Sequence, residues 1–490
     1  MPPEATGIPI RTILLGVAGV SLVALGGAGA GAVVKSDPVL TDLSLSWIRY
    51  GHGHDLATAL VYAGLGLVIW AWVRLGRMVQ RRHVGSAAVL IAIVAWTLPL
   101  LLSPPLFSKD VYSYLAQGQL ALHGFDPYRV GPAALPSPLS DNVSWVWQNT
   151  PAPYGPLFIL IAKTVVWVTG AGVIGGVVLM RLVLAAGLAL LCWSLPGLAR
   201  HLGGRPAVAL WLAAANPLML VHLIGGGHND ILMVGLMAAG ALLVLDKRHV
   251  HGIALVSLAV AIKATAVVVL PFLVLVWAAR LDGTERSRLG RAVAYGTAVF
   301  GAVFVLCSVV AGVDLGWIPA LKSSSAIVNW LSLPSAVGDF VYTLVSLVVK
   351  VEPGVFMAVA RAAGSVLLVY IAWRQWRAAE DGGPNAIRHA ALTMLAVALL
   401  SPATLPWYFS WPLVLGAGLA WTAKGLTAAV FFSSVLLLVT FPNGDTGLYS
   451  WGYLALTAAV SALAAVSLTR PDPLELSFRP LPARTSAAAG

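Results

Sequence analysis

The sequence predicts an all-α, polytopic integral membrane protein, and three observations carry the prediction. Of the 490 residues, 59% are hydrophobic and only 10% charged. Soluble domains carry about 25% charged residues, so this chain lacks the charge to coat a water-facing surface, and it is far too apolar to be disordered. Several apolar runs reach the roughly 20 residues that carry a helix across a bilayer. The runs are continuously apolar and do not alternate, which excludes an outer-membrane barrel.

In chain order the runs fall near 13–34, 56–73, 84–102, 156–172, 173–198, 206–224, 229–245, 252–279, 292–313, 335–350, 355–373, 389–402, 407–422, 425–441 and 449–468. The first is long for a signal-peptide core and is followed by more spans, so it reads as a retained helix. The 252–279 run carries Lys263 at its middle and basic residues at both ends, Lys247/Arg248 and Arg280. Two short halves meeting at Lys263 would keep both ends on one side, and broken helices are tolerated where they line a cavity. The expectation is 12 to 14 crossings in one transmembrane domain over 1–469. A large extracytoplasmic loop over 103–155 bears a surface helix. A second loop on that side spans about Asp314 to Pro334, and the Pro-rich tail 470–490 is expected to be disordered and cytoplasmic. There is no solenoid period. No inverted repeat is evident either, which weighs against a secondary transporter.

The net charge of +11 invites a nucleic-acid reading, but the basic residues form no single patch. Twenty of the 30 fall in segments assigned to one side: Arg11, Arg74–Arg82, Arg200/Arg205, Lys247/Arg248, Arg280–Arg291, Arg374/Arg377/Arg388, Lys424 and the tail from Arg470. Five fall opposite, at Lys35, Arg49, Lys109, Arg129 and Lys322. That asymmetry is the positive-inside rule; it sets the orientation and argues for a plasma-membrane protein without a nucleic-acid partner. Only Cys192 and Cys307 are present, both in apolar runs, so no disulfide framework is supported. His52-Gly53-His54-Asp55 is a weak metal pattern.

In the long loop, Ser108 is a natural N-cap for a helical pattern reaching about Leu122. Val111, Tyr114, Leu115 and Leu122 share one face; Asp110, Ser113 and Gln117 share another. Such a helix would lie on the membrane with its polar stripe toward an aqueous cleft. Asp110 reads either as a general base at the lipid–water boundary or as a first-turn acid favoured by the helix dipole. Asp126 precedes a proline, a turn signal, and Pro151-Ala152-Pro153-Tyr154-Gly155-Pro156 returns the chain to the membrane.

Three motifs in this loop carry a resemblance. They are Ser108-Lys109-Asp110-Val111-Tyr112-Ser113-Tyr114, His123-Gly124-Phe125-Asp126-Pro127-Tyr128 and Asn149-Thr150-Pro151-Ala152-Pro153-Tyr154-Gly155-Pro156. Gly225-Gly226-Gly227-His228-Asn229-Asp230, the Lys263 segment and Pro406-Trp407-Tyr408-Phe409-Ser410-Trp411 support it. Together they resemble the actinobacterial polyprenyl-phosphomannose-dependent alpha-1,6-mannosyltransferases of the MptA/MptB type, which build the lipomannan and lipoarabinomannan backbone on a glycosyltransferase C superfold. The resemblance covers roughly 90–440. It implies a polyprenyl phosphate mannose donor, a mannan lipoglycan acceptor and inverting transfer on the extracytoplasmic side. It also implies that Asp110 is the base. Many members carry a pair of acids there; this chain has Lys109-Asp110, and one carboxylate is a poor cage for a divalent metal. No cofactor is therefore expected. Gly225-Gly226-Gly227 lacks the Lys-Ser/Thr ending of a nucleotide-binding loop. In the same loop Lys109, Tyr114, Gln117, Asp126, Arg129 and Tyr154 are substrate-binding candidates beside Asp110.

Lys163, Arg181, Lys263, Lys350 and Arg361 fall within apolar runs. Ionised residues there are costly and mark functional candidates unless they snorkel to an interface or pair. Lys263 is a candidate for the lipid phosphate, Arg129 another. His228-Asn229-Asp230 reads as a helix cap or as a group contacting sugar hydroxyls or phosphate. Trp407, Tyr408 and Trp411 fit either an interfacial aromatic belt or a sugar-stacking wall of the cleft. Two rivals remain. One is a flippase or transporter for a lipid-linked sugar, which would keep its key ionisable groups near the midplane. The other is a transferase of the same fold for another sugar, such as arabinose.

Overall fold

A computed structural model describes residues 7–35, 37–322, 327–471 and 473–474. The tail expected to be disordered lies almost entirely outside the described residues. The described residues form helices and two isolated bridges, with no strand. The principal helices are α1 (Ile10–Ala30), α2 (Gly51–Gln80), α3 (Ser86–Leu102), α4 (Asp110–Leu122), α5 (Pro156–Thr169) and α6 (Val173–Leu202). A bent α7 follows (Pro206–Ala214 with Leu218–Gly225), then α8 (Asp230–Leu245), α9 (His249–Ile262), α10 (Leu270–Ala278), α11 (Glu285–Ala311) and α12 (Leu333–Ser346). The chain ends with α13 (Pro353–Ala378), α14 (Asn385–Leu400), α15 (Ser410–Gly416), α16 (Ala423–Leu438) and α17 (Trp451–Thr469).

Six of these (α1, α2, α6, α11, α13 and α17) are long and apolar enough to cross a membrane, and α7 makes seven if its two halves, bent by 49°, count as one span. The other apolar helices are shorter, at 17 residues or fewer. They are short because identifiable residues stop them. Ser103-Pro104-Pro105 ends α3, since proline lacks the N–H and blocks the next turn. Gly155-Pro156 opens α5, His228-Asn229 precedes α8, and the chain is extended at Lys263 between α9 and a 3-10 turn leading into α10. Those four breaks meet in space, and the candidate site lies where they meet.

The hairpin at Lys263 has the geometry that its flanking charges predict. His249, at the start of α9, stacks on Trp277 near the end of α10 at 5.3 Å. Arg280 donates to the Val244 and Leu245 carbonyls at the end of α8, at 2.8 and 3.0 Å. Lys263 lies at the other end of α8, against Asp230. The two halves therefore start and finish on the same side. At the fold, the Gly155 N–H donates to the Ile262 carbonyl at 3.1 Å, satisfying one group the break leaves free. A Cβ on Gly155 would lie 2.4 Å from the Ala261 oxygen, so only glycine permits this approach.

Elsewhere small residues let helix backbones touch, as is usual between helices in lipid. A Cβ on Gly26 of α1 would meet the Ala57 carbonyl of α2 at 2.5 Å, and one on Gly187 of α6 would meet Ile231 of α8 at 2.4 Å. Trp72 and Trp211 exchange indole-to-carbonyl hydrogen bonds of 2.9 and 2.8 Å, tying α2 to α7.

Helix α4 departs from expectation. It does not lie on the surface with one apolar side down: all ten residues from Val111 to Leu120 are buried. Helix α5 presses so closely that a Cβ on Gly118 would meet the Ala162 backbone at 2.4 Å. Its polar stripe faces a cavity inside the protein, a situation that periodicity alone reads as amphipathic.

Candidate active site

The approach to α4 is built by Arg181. This guanidinium, fully buried on α6, donates to the carbonyls of Ser103, Pro104 and Gly225. It thus fastens the segment leaving α3 to the end of α7. An arginine in an apolar run is here a structural tie. Phe107 then takes a left-handed turn (φ +62°), and its N–H donates to the Pro442 carbonyl at 2.8 Å. The Ser108 hydroxyl accepts from the Asp110 N–H at 3.1 Å, although the N-cap position itself falls one residue later than expected, at Lys109, whose side chain makes no capping bond. Asp110 becomes the first residue of α4.

Asp110, Ser113 and Gln117 project from α4 into a cavity of about 590 Å³, within the range of small-molecule sites. Tyr154 and Trp147 from the long loop form a second wall. Lys263 forms a third, and Trp407, Tyr408 and Trp411 a fourth. Seven of the candidates named from the sequence thus line one cavity: Asp110, Gln117, Tyr154, Lys263, Trp407, Tyr408 and Trp411.

Three more stand directly behind the wall. His228 is fully buried, with Nδ1 3.4 Å from the Asp110 carboxylate and its ring stacked on Trp407 at 3.8 Å. Asp230 is fully buried and accepts two 2.8 Å hydrogen bonds from Lys263 Nζ and one of 2.6 Å from Trp411 Nε1. The Lys263 ammonium also lies 4.6 Å from the Tyr408 ring and 5.3 Å from that of Trp411, within cation–π range. Asn229 occupies the N-cap position of α8 but makes no capping bond. Gly227, at φ +71°, makes the turn that presents this triplet; the left-handed region is open to glycine at little cost.

The remaining candidates sit elsewhere. Tyr114 is buried beneath the cavity, edge-on to Tyr154 at 5.1 Å. Lys109 is exposed and does not line the cavity. Asp126 accepts from the Tyr128 N–H at 2.9 Å and pairs with Arg129 at 2.9 Å. Arg129 also reaches Asp314 at 3.5 Å and is 76% exposed, outside the cavity. A cation neutralised this way by two carboxylates is poorly placed to hold a phosphate.

Burial, reinforced by the nearby Asp110 charge, holds the Tyr154 phenol well above its ordinary pKa, so its hydroxyl stays a neutral donor. Ser113 Oγ, Gln117 Oε1, both ring nitrogens of His228 and the Asn229 amide are buried without a hydrogen-bond partner among the described residues. Buried polar groups are normally satisfied, so Ser113 and Gln117, which line the cavity, mark where a polar ligand would be held. The arrangement offers a proton acceptor at the cavity wall, a lysine held by a buried carboxylate, aromatic faces and several unpaired polar groups. Trp147, Thr150 and Lys322 also line the cavity. Trp147 and Lys322 carry no signal in the sequence, because one aromatic or one lysine in a loop makes no local pattern; Thr150 falls in the third loop motif, where nothing singles out its hydroxyl.

The family model described as "Alpha-(1->6)-mannopyranosyltransferase, N-terminal domain" matches residues 13–279, and the MptB C-terminal domain matches residues 334–470. The chain is 43% identical to alpha-(1->6)-mannopyranosyltransferase A of Mycobacterium tuberculosis, over 94% of this chain and 90% of that one. It is 34% identical to alpha-(1->6)-mannopyranosyltransferase A of Corynebacterium glutamicum, over 90% of this chain and 95% of that one. No solved structure matches.

Proposed function

The chain belongs to the alpha-(1->6)-mannopyranosyltransferase family, and from that premise we propose that it elongates an alpha-1,6-mannan lipoglycan backbone, taking mannose from polyprenyl phosphate mannose on the extracytoplasmic face of the plasma membrane. The observation that carries the reading is the Asp110 carboxylate on the wall of a cavity that also holds Lys263 and the Trp407/Tyr408/Trp411 cluster. Membrane lipids supply the setting, and no nucleic acid is involved.

In this reading the 6-hydroxyl of the terminal mannose of the acceptor lies against Asp110, which takes its proton. The hydroxyl oxygen bonds to the anomeric carbon of the donor as the bond from that carbon to the phosphate oxygen breaks. The polyprenyl phosphate leaves with the electron pair. A single displacement inverts a β-linked donor to an α-linked product. The 3.4 Å approach of His228 to Asp110 gives the carboxylate a neighbour that orients it, with the imidazole itself fixed by Trp407. Lys263 is positioned for the charge on the leaving phosphate, with Asp230 setting where its ammonium stands; preorganised charge of this kind is a large catalytic contribution. Ser113, Gln117 and Tyr154 would meet sugar hydroxyls. Among the described residues the ion-pair neighbour of Asp110 is an imidazole, and one carboxylate alone is a poor cage for a divalent cation, which supports a reaction without a bound metal. The extracytoplasmic assignment is supported by the arginines at the opposite end of the helices.

The test supplies purified protein in vesicles with polyprenyl phosphate mannose or with GDP-mannose, each radiolabelled, and an alpha-1,6-dimannoside acceptor. The expected product is an alpha-1,6-linked trimannoside from the lipid donor alone. Transfer from GDP-mannose, or donor movement between leaflets without transfer, would refute the proposal, the latter in favour of a flippase. Transfer from a polyprenyl phosphate pentose in preference to mannose would keep the fold and change the sugar.

A further inference from the structure

Far from the cavity, at the arginine-rich end of the helices, a second pocket of about 370 Å³ is lined by Trp70, Arg74, Arg77, Arg81 and His83 with Met78 and Pro471. The transfer reaction described above makes no use of it. We propose that this pocket binds one anionic phospholipid, with the headgroup phosphate held by Arg74, Arg77 and Arg81 and an acyl chain running along Trp70.

Three observations carry the inference. The arginines stand at i, i+3 and i+7, at the end of α2 and on one face, and converge on one pocket. Like charges at this spacing repel. Among the described residues no carboxylate pairs with any of the three, although nearby His201 is paired with Asp246 at 2.7 Å. The positive-inside rule asks only for basic residues at this end; it does not ask that they face one another, and an anion between them relieves the repulsion. Second, the walls are fixed. Arg205 donates to the Val79 and Gln80 carbonyls at 2.7 and 3.3 Å, closing the end of α2 beside the pocket. The His83 N–H donates to the Met78 carbonyl at 2.8 Å and folds the following loop back over it. Third, Trp70 is 53% exposed and lies seven residues before Arg77, roughly 10 Å deeper along the helix. An outward-facing indole below a cationic pocket suits an acyl chain and gives a free phosphate nothing to hold. Basic pockets at membrane helix ends are a recurrent way of holding anionic headgroups.

The test uses the full chain in a neutral detergent, titrated with phosphatidylglycerol or phosphatidylcholine, with bound lipids counted by native mass spectrometry. The wild type is expected to hold one phosphatidylglycerol at least about tenfold more tightly than phosphatidylcholine, while millimolar inorganic phosphate fails to displace it. The triple variant R74Q/R77Q/R81Q should lose on the order of a hundredfold in affinity, near fivefold per arginine. The double variant R286Q/R288Q removes charge at the same end outside the pocket and should bind as the wild type does. Should the triple variant fail to accumulate, R74Q alone is expected to lose about fivefold, and R77K to retain binding. Equal affinity for the two lipids, unchanged affinity in the arginine variants, an equal loss in R286Q/R288Q, or displacement by inorganic phosphate would each overturn the proposal.

Discussion

Lys263→Met removes the ammonium that donates two 2.8 Å hydrogen bonds to Asp230 and leaves a fully buried carboxylate with one donor, the Trp411 indole at 2.6 Å. Removing one partner of a buried pair costs about 3–5 kcal/mol, because the remaining charge stays desolvated. The opposite truncation, Asp230→Asn, is gentler for a structural reason. Lys263 retains 14% exposure to the cavity and keeps the faces of Tyr408 and Trp411 within cation–π range, and the amide carbonyl of the substituted side chain would still accept from Trp411. Its expected cost is about 1–2 kcal/mol. In the double variant no buried charge is stranded, so its cost should fall below the sum of the singles by at least about 2 kcal/mol. The assay is SDS-driven unfolding in mixed micelles, followed by tryptophan fluorescence. Additive effects, or a Lys263→Met cost under about 1 kcal/mol, would refute the coupling of Asp230 and Lys263 as one buried ion pair.

Arg181→Met should strand the Ser103 and Pro104 carbonyls that the guanidinium satisfies, and it leaves the Gly225 carbonyl with the Leu106 N–H alone. It is expected to cost at least about 3 kcal/mol in the same unfolding assay and to lower transfer by releasing the segment that positions Asp110. Arg129→Ala should cost less than about 1 kcal/mol, since its pairs with Asp126 and Asp314 are exposed, and initial-rate assays should show transfer unchanged. Incubation with EDTA followed by a transfer assay should leave the rate unchanged, and recovery of lost activity by an added divalent cation would contradict the metal-free reading.

Lys263 was legible in the sequence because a charge in mid-run is so costly that its presence demands a reason, and matching basic flanks fold the run in two. The Asp110/Ser113/Gln117 stripe was legible from helical spacing. Its surroundings were not: the same spacing describes a helix on a membrane surface and one facing an internal cavity, and only packing against α5 distinguishes them. The ion pair between Asp230 and Lys263 and the contact between Asp110 and His228 join residues far apart in the chain, beyond any local pattern. The second partner of Arg129 was hidden for the same reason, since Asp314, which shares its charge, lies on a distant loop. Lys322 lines the cavity with no sequence signal to mark it.

The role of Asp110 as the base is tested by Asp110→Asn, which keeps the shape of the side chain and removes its capacity to take a proton. Transfer from radiolabelled polyprenyl phosphate mannose to an alpha-1,6-dimannoside is measured in vesicles beside the wild type, with unfolding followed in parallel. The expected result is a loss of about 10²–10⁴-fold in rate with unfolding unchanged. Transfer within a few-fold of wild type would contradict that role and place the base on another residue.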